Sequence, residues 1–390
     1  MYRLDISANV QRYQQEEVNW CGEACAQMTR NGYPNAADRR YYTQTILYNK
    51  IQAANYSNTD ADKKWATNPH GMQGCLQSDS KAPMAWVEHV NPNRGEVMSF
   101  LLFGMYRERF PTPVVVDEGG HWVVVVGWKT DVEPVAGSKP TLKFIHYLDP
   151  NSTDGGSCHT MMKASIWFDQ HWDEPILVPG TWEGKYVAIG QGPGPMEEVN
   201  AMSEGNYKHK TTTENRQVLT PEEAKKRATD SIEELQLAEE PDYGLLSDPN
   251  REIQDPLLTI DKPDRESPNQ TPQFYIVPFG IKNERTQSGT PLVRVCILVD
   301  AYTGEFEEMT AFDEPVVYLT GQQAVNVVAA ALNAAPAEFH DAVVTLMFQS
   351  SEISHVRAYP FWRVTVRDRS YYVDQKGKLY GSLLPGRPGN

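Results

Sequence analysis

Long apolar runs are missing from this chain. No stretch of about 18 consecutive apolar residues occurs, which excludes a membrane-spanning helix, and the opening Met1-Tyr2-Arg3-Leu4-Asp5-Ile6 does not read as a signal peptide. A soluble protein is expected, with its compartment, cytoplasmic or exported, left open. Positive charge is also short: 36 Lys and Arg stand against 51 Asp and Glu, a formal net charge of −15. Nucleic acid is therefore not expected as a partner, because binding a phosphate backbone needs a basic surface. Cysteine is scarce. Cys21, Cys25, Cys75, Cys158 and Cys296 are an odd set at irregular spacing, which gives neither a disulfide framework nor a zinc pattern. No metal and no cofactor are expected. Gly190-Gln191-Gly192-Pro193-Gly194 is Gly-rich, but Pro193 and the missing Lys-Ser/Thr argue against a phosphate loop.

What is present is long enough, at 390 residues, for two domains. In the first half, residues 3–10 read as a short strand and 19–32 as a helix closed by Asn31-Gly32. A second helix over 38–54 is expected to bury Tyr42, Ile46 and Ile51. The stretch 55–82 reads as loop with short helical pieces, and 96–109 as a helix with Val97, Phe100, Leu101 and Met105 on one face. Valine-rich runs follow in Pro113-Val114-Val115-Val116 and His121–Trp128, joined by the turn signal Asp117-Glu118-Gly119-Gly120. Such continuous valine predicts strands buried on both faces. Leu142–Leu148 is a third strand, and 164–168 and 186–189 read as edge strands. Helices first and an antiparallel sheet afterwards make this half α+β.

Residues 191–219 read as linker. The remainder shows a weak internal repeat. A helix at 220–237 is followed by strands 273–279 and 292–299 and the turn Val299-Asp300-Ala301-Tyr302-Thr303-Gly304. A helix at 320–334 is followed by strands 342–348 and 360–366 and then Val373-Asp374-Gln375-Lys376-Gly377. Each turn feeds a last short strand, which suggests one α+β fold used twice, over 220–310 and 311–390. Within the first copy, the acidic and Pro-rich 239–271 reads as a mobile loop.

Chemistry concentrates in the first half. Cys21 begins a helix, where the macrodipole and unpaired amides favour thiolate. His121 and Asp149 each stand at the edge of an apolar strand, so the order Cys, His, Asp supplies a nucleophile, a base and a group to orient the base. Gln15, six residues before Cys21, together with the Cys21 amide would form the oxyanion hole. Each residue alone also fits a structural role: a packed thiol, a turn histidine, a strand-ending Asp-Pro. His70, His89, His146 and His159 compete for the base position. Alternation along the strand puts His146 and Asp149 on opposite faces.

These segments, Gln15-x5-Cys21-Gly22-x-Ala24-Cys25-x-x-Met28, Gly120-His121-Trp122-Val123-Val124-Val125 and Asp149-Pro150, resemble the papain-like cysteine peptidases of bacteria. The likeness is nearest to the branch of the double-glycine leader peptidases and the papain-like effector peptidases, and covers about residues 1–190. It implies a papain-like fold, a peptide or protein substrate, Cys21 as nucleophile, His121 as base, Asp149 as orienting residue and Gln15 in the oxyanion hole. Two departures stand: a polar insert at 129–141 lengthens the His-to-Asp interval, and the leader peptidases are usually fused to membrane transporters, so leader cleavage is not implied. The two C-terminal copies resemble PepSY-type, cystatin-like units, which often accompany peptidases as inhibitory or chaperoning segments. That likeness implies a regulatory or partner-binding second half able to contact the peptidase domain, held at high effective concentration by a linker of roughly 30 residues. Two other functions share the residues: acyl transfer such as transamidation through the same thioester, and a non-catalytic protein-binding module.

Overall fold

The valine runs dictate the first sheet. The computed structural model describes residues 1–78, 80, 85–135, 137–150, 156–192, 217–261, 273–367 and 369–385. They form a mixed α+β structure with mostly antiparallel strands and seven α-helices among the described residues. They fall into two compact units, one of residues 1–150 with 157–192 and one of residues 217–385. No helix among the described residues is long and apolar enough to cross a membrane.

The elements of the first unit, in chain order, are β1 (Tyr2–Asp5), α1 (Cys21–Asn31), α2 (Gln44–Ala54), α3 (Pro69–Gln77), β2 (Trp86–Asn91), α4 (Arg94–Glu108), β3 (Thr112–Val116), β4 (His121–Thr130), β5 (Leu142–Asp149), β6 (Cys158–Lys163), α5 (Ala164–Gln170) and β7 (Tyr186–Gln191). The strands lie in the order β6-β5-β4-β3-β7-β2, and β1 pairs with the C-terminal half of β4. Every residue of β3 and β4 is buried, as strands covered on both faces should be. The turn between them takes left-handed backbone at Asp117 (φ 52°), Glu118 (φ 60°) and Gly119 (φ 99°). Only the glycine adopts that region without steric cost, so backbone strain is held directly before His121.

Helix α1 packs against β4 and is buried along its whole length. Most of its polar side chains find a partner there, Thr29 excepted. The Thr67 hydroxyl donates to Glu23 Oε1 at 3.1 Å, and Gln27 Nε2 donates to the Tyr42 carbonyl at 2.7 Å. Arg30 donates to the Cys75 and Ser78 carbonyls, and Asn31 Nδ2 donates to the Tyr13 hydroxyl at 2.7 Å. Gly32 ends the helix in ordinary backbone (φ −82°), and a Cβ there would sit 2.5 Å from Pro111 and 2.7 Å from Val10, so close packing explains the glycine.

Several sequence expectations need correction. Residues 164–168 form helix α5 and no strand; the strand lies just before, at β6, in Cys158-His159-Thr160-Met161-Met162-Lys163. A short apolar run does not separate the two by periodicity. β7 is no edge strand, because β3 flanks it on one side and β2 on the other. Helix α2 begins at Gln44, later than expected; Ile51 is buried and Tyr42, before the helix, packs on the core, but Ile46 is exposed and Leu47 is buried beside it.

The second unit contains α6 (Pro221–Glu234), β8 (Arg251–Ile253), β9 (Leu257–Asp261), β10 (Phe274–Ile281), β11 (Val293–Asp300), β12 (Phe306–Val316), α7 (Gly321–Ala331), β13 (Val343–Phe348), β14 (Phe361–Val366), β15 (Arg369–Val373) and β16 (Leu379–Tyr380). The repeat is fuller than the sequence suggests: one helix and four strands each time, β9 to β12 and β13 to β16, with β9 and β13 pairing in parallel at the centre. Both helices open on a capping box, Thr220 with Glu223 and Thr320 with Gln323. The turns match as well. Asp300 Oδ1 accepts the Tyr302 and Thr303 amides at 2.8 and 2.6 Å, and Asp374 Oδ1 accepts those of Lys376 and Lys378 at 2.9 and 2.8 Å.

The expected mobile loop 239–271 is thus wrong over its described part. Residues 251–253 and 257–261 are strands on β10, and their backbone groups are satisfied by that ladder despite the acidic composition; 262–271 lies outside the described residues. Most of the expected linker, 193–216, lies outside them too. Its end is docked: the Leu219 amide donates to the Ala301 carbonyl at 2.9 Å, and the Tyr275 hydroxyl donates to the Leu219 carbonyl at 2.6 Å.

Arg357, before β14, joins the two copies. Its guanidinium is buried 2.8 Å from Glu307, 3.5 Å from Glu308 and 3.7 Å from Asp261, and lies over the Phe274 ring. Those carboxylates hold its proton more firmly than usual, against the opposing effect of burial. Removing one partner of a buried ion pair costs about 3–5 kcal/mol. Arg357→Leu is expected to destabilise the second unit by that amount, read as an earlier urea transition; a shift under about 1 kcal/mol would contradict the ion-pair account.

Candidate active site

Cys21 is the first residue of α1, and no side chain caps that helix: Trp20 occupies the cap position without a side-chain hydrogen bond. The first-turn amides therefore have no cap from Trp20, and that of Glu23 is met by its own carboxyl. His121 opens β4 and Asp149 closes β5. The β4–β5 ladder pairs Val124 with Leu148 and Val125 with Tyr147, which brings the start of one strand beside the end of the other. Gly22 allows the close fit, since a Cβ there would lie 2.4 Å from the Thr67 side chain.

The three predicted residues converge. His121 Nε2 lies 3.0 Å from Asp149 Oδ1, and both side chains are essentially inaccessible, at 1% and 0% exposure. A carboxylate only accepts, so Nε2 carries the proton and Nδ1 is left for sulfur. The Cys21 side chain is hydrogen-bonded to His121 and to the Trp122 amide. Trp122 is fixed in turn by its indole N–H, which donates to the Thr67 carbonyl at 2.9 Å.

Electrostatics divide the site. Burial pulls the imidazolium down, but the Asp149 carboxylate and Cys21 outweigh it, so His121 holds its proton well above the ordinary range. Burial pushes the Cys21 thiol up, and His121 with the Trp122 amide offsets this only in part. In this closed state burial works against the thiolate expected from helix position, and the contact with His121 works for it. Cys25, one turn on, is pushed up further by burial and by the charges of Cys21, Asp149 and Glu23, and it stays a thiol.

Gln15 is held at the end of β5. Its backbone amide donates to the Pro150 carbonyl at 3.0 Å, while its side-chain Nε2 donates to the Val18 carbonyl at 2.7 Å. The competing histidines have other surroundings. His70 lies 3.4 Å from Glu88, His89 stacks on Phe100, and His146 lies 3.5 Å from Asp5. The latter pair is on the face of β5 opposite to Asp149, as alternation requires.

Sequence reasoning missed Glu23. It lies two residues from the nucleophile, fully buried, and burial raises its carboxyl to about 7 although the Thr67 hydroxyl and its own amide act against the rise. The available signal was a carboxyl inside a helix start that is otherwise small and apolar. With the carboxyl near 4.5 in the unfolded chain and about 7 when folded, the folded state binds more protons between those values. Stability must fall as pH rises through that window, by about 3 kcal/mol in all. Glu23→Gln is expected to flatten that slope and to be more stable than the parent at about pH 8, in urea denaturation followed at several pH values. An unchanged slope would contradict the buried neutral carboxyl.

No family model and no curated protein matches this chain. Among solved structures, the Bacillus megaterium YpeB C-terminal domain is similar over 73% of this chain and 95% of its own length, at 10% identity and a TM-score of 0.17. A likeness that low carries no argument about fold or activity.

Proposed function

We propose that the first unit is a cysteine peptidase of papain-like type. The observation behind it is the joining of Cys21, His121 and Asp149 from three separate elements, with the imidazole oriented by Asp149 through Nε2 and its other nitrogen turned to the thiol. In the reaction, His121 takes the thiol proton and the sulfur attacks the peptide carbonyl carbon. The tetrahedral oxyanion is met by the Cys21 amide and by Gln15, whose side-chain amide has a second N–H beside the one bonded to Val18. His121 gives its proton to the departing amine, and water then cleaves the thioester. Transamidation shares every step up to the thioester and differs only in the acceptor. Cys21 and His121 are buried in this state, so a peptide needs the site to open.

That burial also favours a second reading, in which the triad is a hydrogen-bonded core of a binding module. Hydrolysis of a peptide library by the full chain separates the two. The peptidase reading predicts turnover abolished by Cys21→Ala and reduced roughly 100-fold or more by Asp149→Ala, through loss of general acid–base work. Gln15→Ala is expected to lower kcat by about 100-fold, the effect of one oxyanion donor. No turnover at any pH, by a folded chain, supports the binding module. Added primary amines that divert the thioester to an amide would identify the transamidase. The second unit is read as regulatory or partner-binding on its sequence resemblance, and ending the chain after residue 190 is then expected to speed thiol labelling.

A further inference from the structure

On the other face of β5 from Asp149, three strands bring together side chains that the peptidase chemistry does not use. The β1–β4 and β4–β5 ladders place Asp5 opposite Gly127 and Gly127 opposite His146. On β6 His146 faces Met161, and His159, two residues from Met161, projects from the same face. Gly127 leaves room for the meeting, because a Cβ there would lie 3.1 Å from Asp5 Cα and 3.3 Å from His146 Cβ.

The ligating atoms of Asp5, His146 and His159 all lie within 4.8 Å of one another. Asp5 Oδ2 is 3.5 Å from His146 Nδ1, and the two imidazole rings are 5.7 Å apart, centroid to centroid. That carboxylate–imidazole separation is long for a hydrogen bond. It suits a shared ion: tetrahedral zinc with bonds of about 2.0–2.1 Å holds its ligand atoms about 3.4 Å apart. The carboxylate is also pre-aimed. Asp5 Oδ1 accepts the Ser7 amide at 2.8 Å, while Oδ2 is buried with no hydrogen bond of its own. The site is buried, with side-chain exposure of 1% at His146 and 8% at Asp5, and with His159 fully buried.

We infer that Asp5, His146 and His159 form a binding site for a divalent zinc-type ion, which ties β1 to β5 and β6. Two imidazoles and one carboxylate are a donor set that zinc takes readily. Cysteine spacing gave no hint of it because no cysteine takes part and the ligands come from three distant strands. The ion anchors the N-terminal strand, from which the chain runs through Gln15 to Cys21. It takes no part in the thiol chemistry.

The test uses the full chain carrying Cys21→Ala, which removes the thiol that could bind zinc together with His121. Chelator-treated protein is titrated with zinc by calorimetry and, separately, loaded with cobalt(II). One equivalent of zinc is expected, with affinity lowered roughly 100-fold or more by His159→Gln, since even outer-shell partners of a metal are worth about 10–100-fold. Zinc should raise the Tm of the parent and leave that of His159→Gln unchanged. If His159→Gln does not fold, the cobalt spectrum decides: a four-coordinate pattern without thiolate-to-metal charge transfer supports the site. Absence of stoichiometric uptake, uptake unchanged by His159→Gln, or a thiolate band would overturn it.

Discussion

A buried carboxylate that touches a buried imidazole is the constraint on which the first unit turns. Asp149 and His121 have almost no exposed surface, and either charge left alone there would be costly. Keeping them 3.0 Å apart requires β4 and β5 to hold one register, so the start of one strand meets the end of the next. The same register fixes the Trp122 amide and brings α1 down on β4, with Cys21 at its uncapped end. The sheet, the helix and the site are thus one arrangement. The burial that makes it stable also closes it, and it is why the thiol is held above its ordinary pKa in this state.

Much of this was legible in the chain. Cys21, His121 and Asp149 could be named because each lies at the end of a strongly patterned element: a small-residue helix and two valine-rich or apolar strands. The strands β3 and β4 were readable for the same reason, since a run of valine buried on both faces admits little else. The joining of the three side chains depends on strand register, which no local pattern states. Gln15 was named from its spacing to Cys21, but its side-chain direction follows from the local bond to Val18.

What stayed hidden has physical causes. In 158–170, Cys158–Lys163 is strand and Ala164–Gln170 is helix, although both are short and apolar; tertiary packing against Tyr147 and Val115, the latter bonded by the Trp172 indole, decides. In 239–261 the acidic composition outweighed the alternation of Leu257, Thr259 and Asp261, and the partner strand β10 lies beyond a long intervening stretch. Glu23 was overlooked because carboxylates are seldom fully buried, and the Thr67 hydroxyl that accommodates it is distant in sequence. The repeat of the second unit was visible through its helix starts and its Val-Asp turns; β9 and β15 were missed although each pairs with the strand next to it in the chain.

The central claim is that Cys21 is a nucleophile activated by His121. The most direct measurement is the alkylation rate of each of the five cysteines by a peptidyl electrophile, resolved by mass spectrometry, in the full chain and in His121→Ala. The account predicts that Cys21 reacts ahead of Cys25, Cys75, Cys158 and Cys296, and that this lead disappears in His121→Ala. If Cys21 reacts no faster than the other buried thiols, or keeps its rate without the imidazole, the account is contradicted and the triad is a structural element of the core.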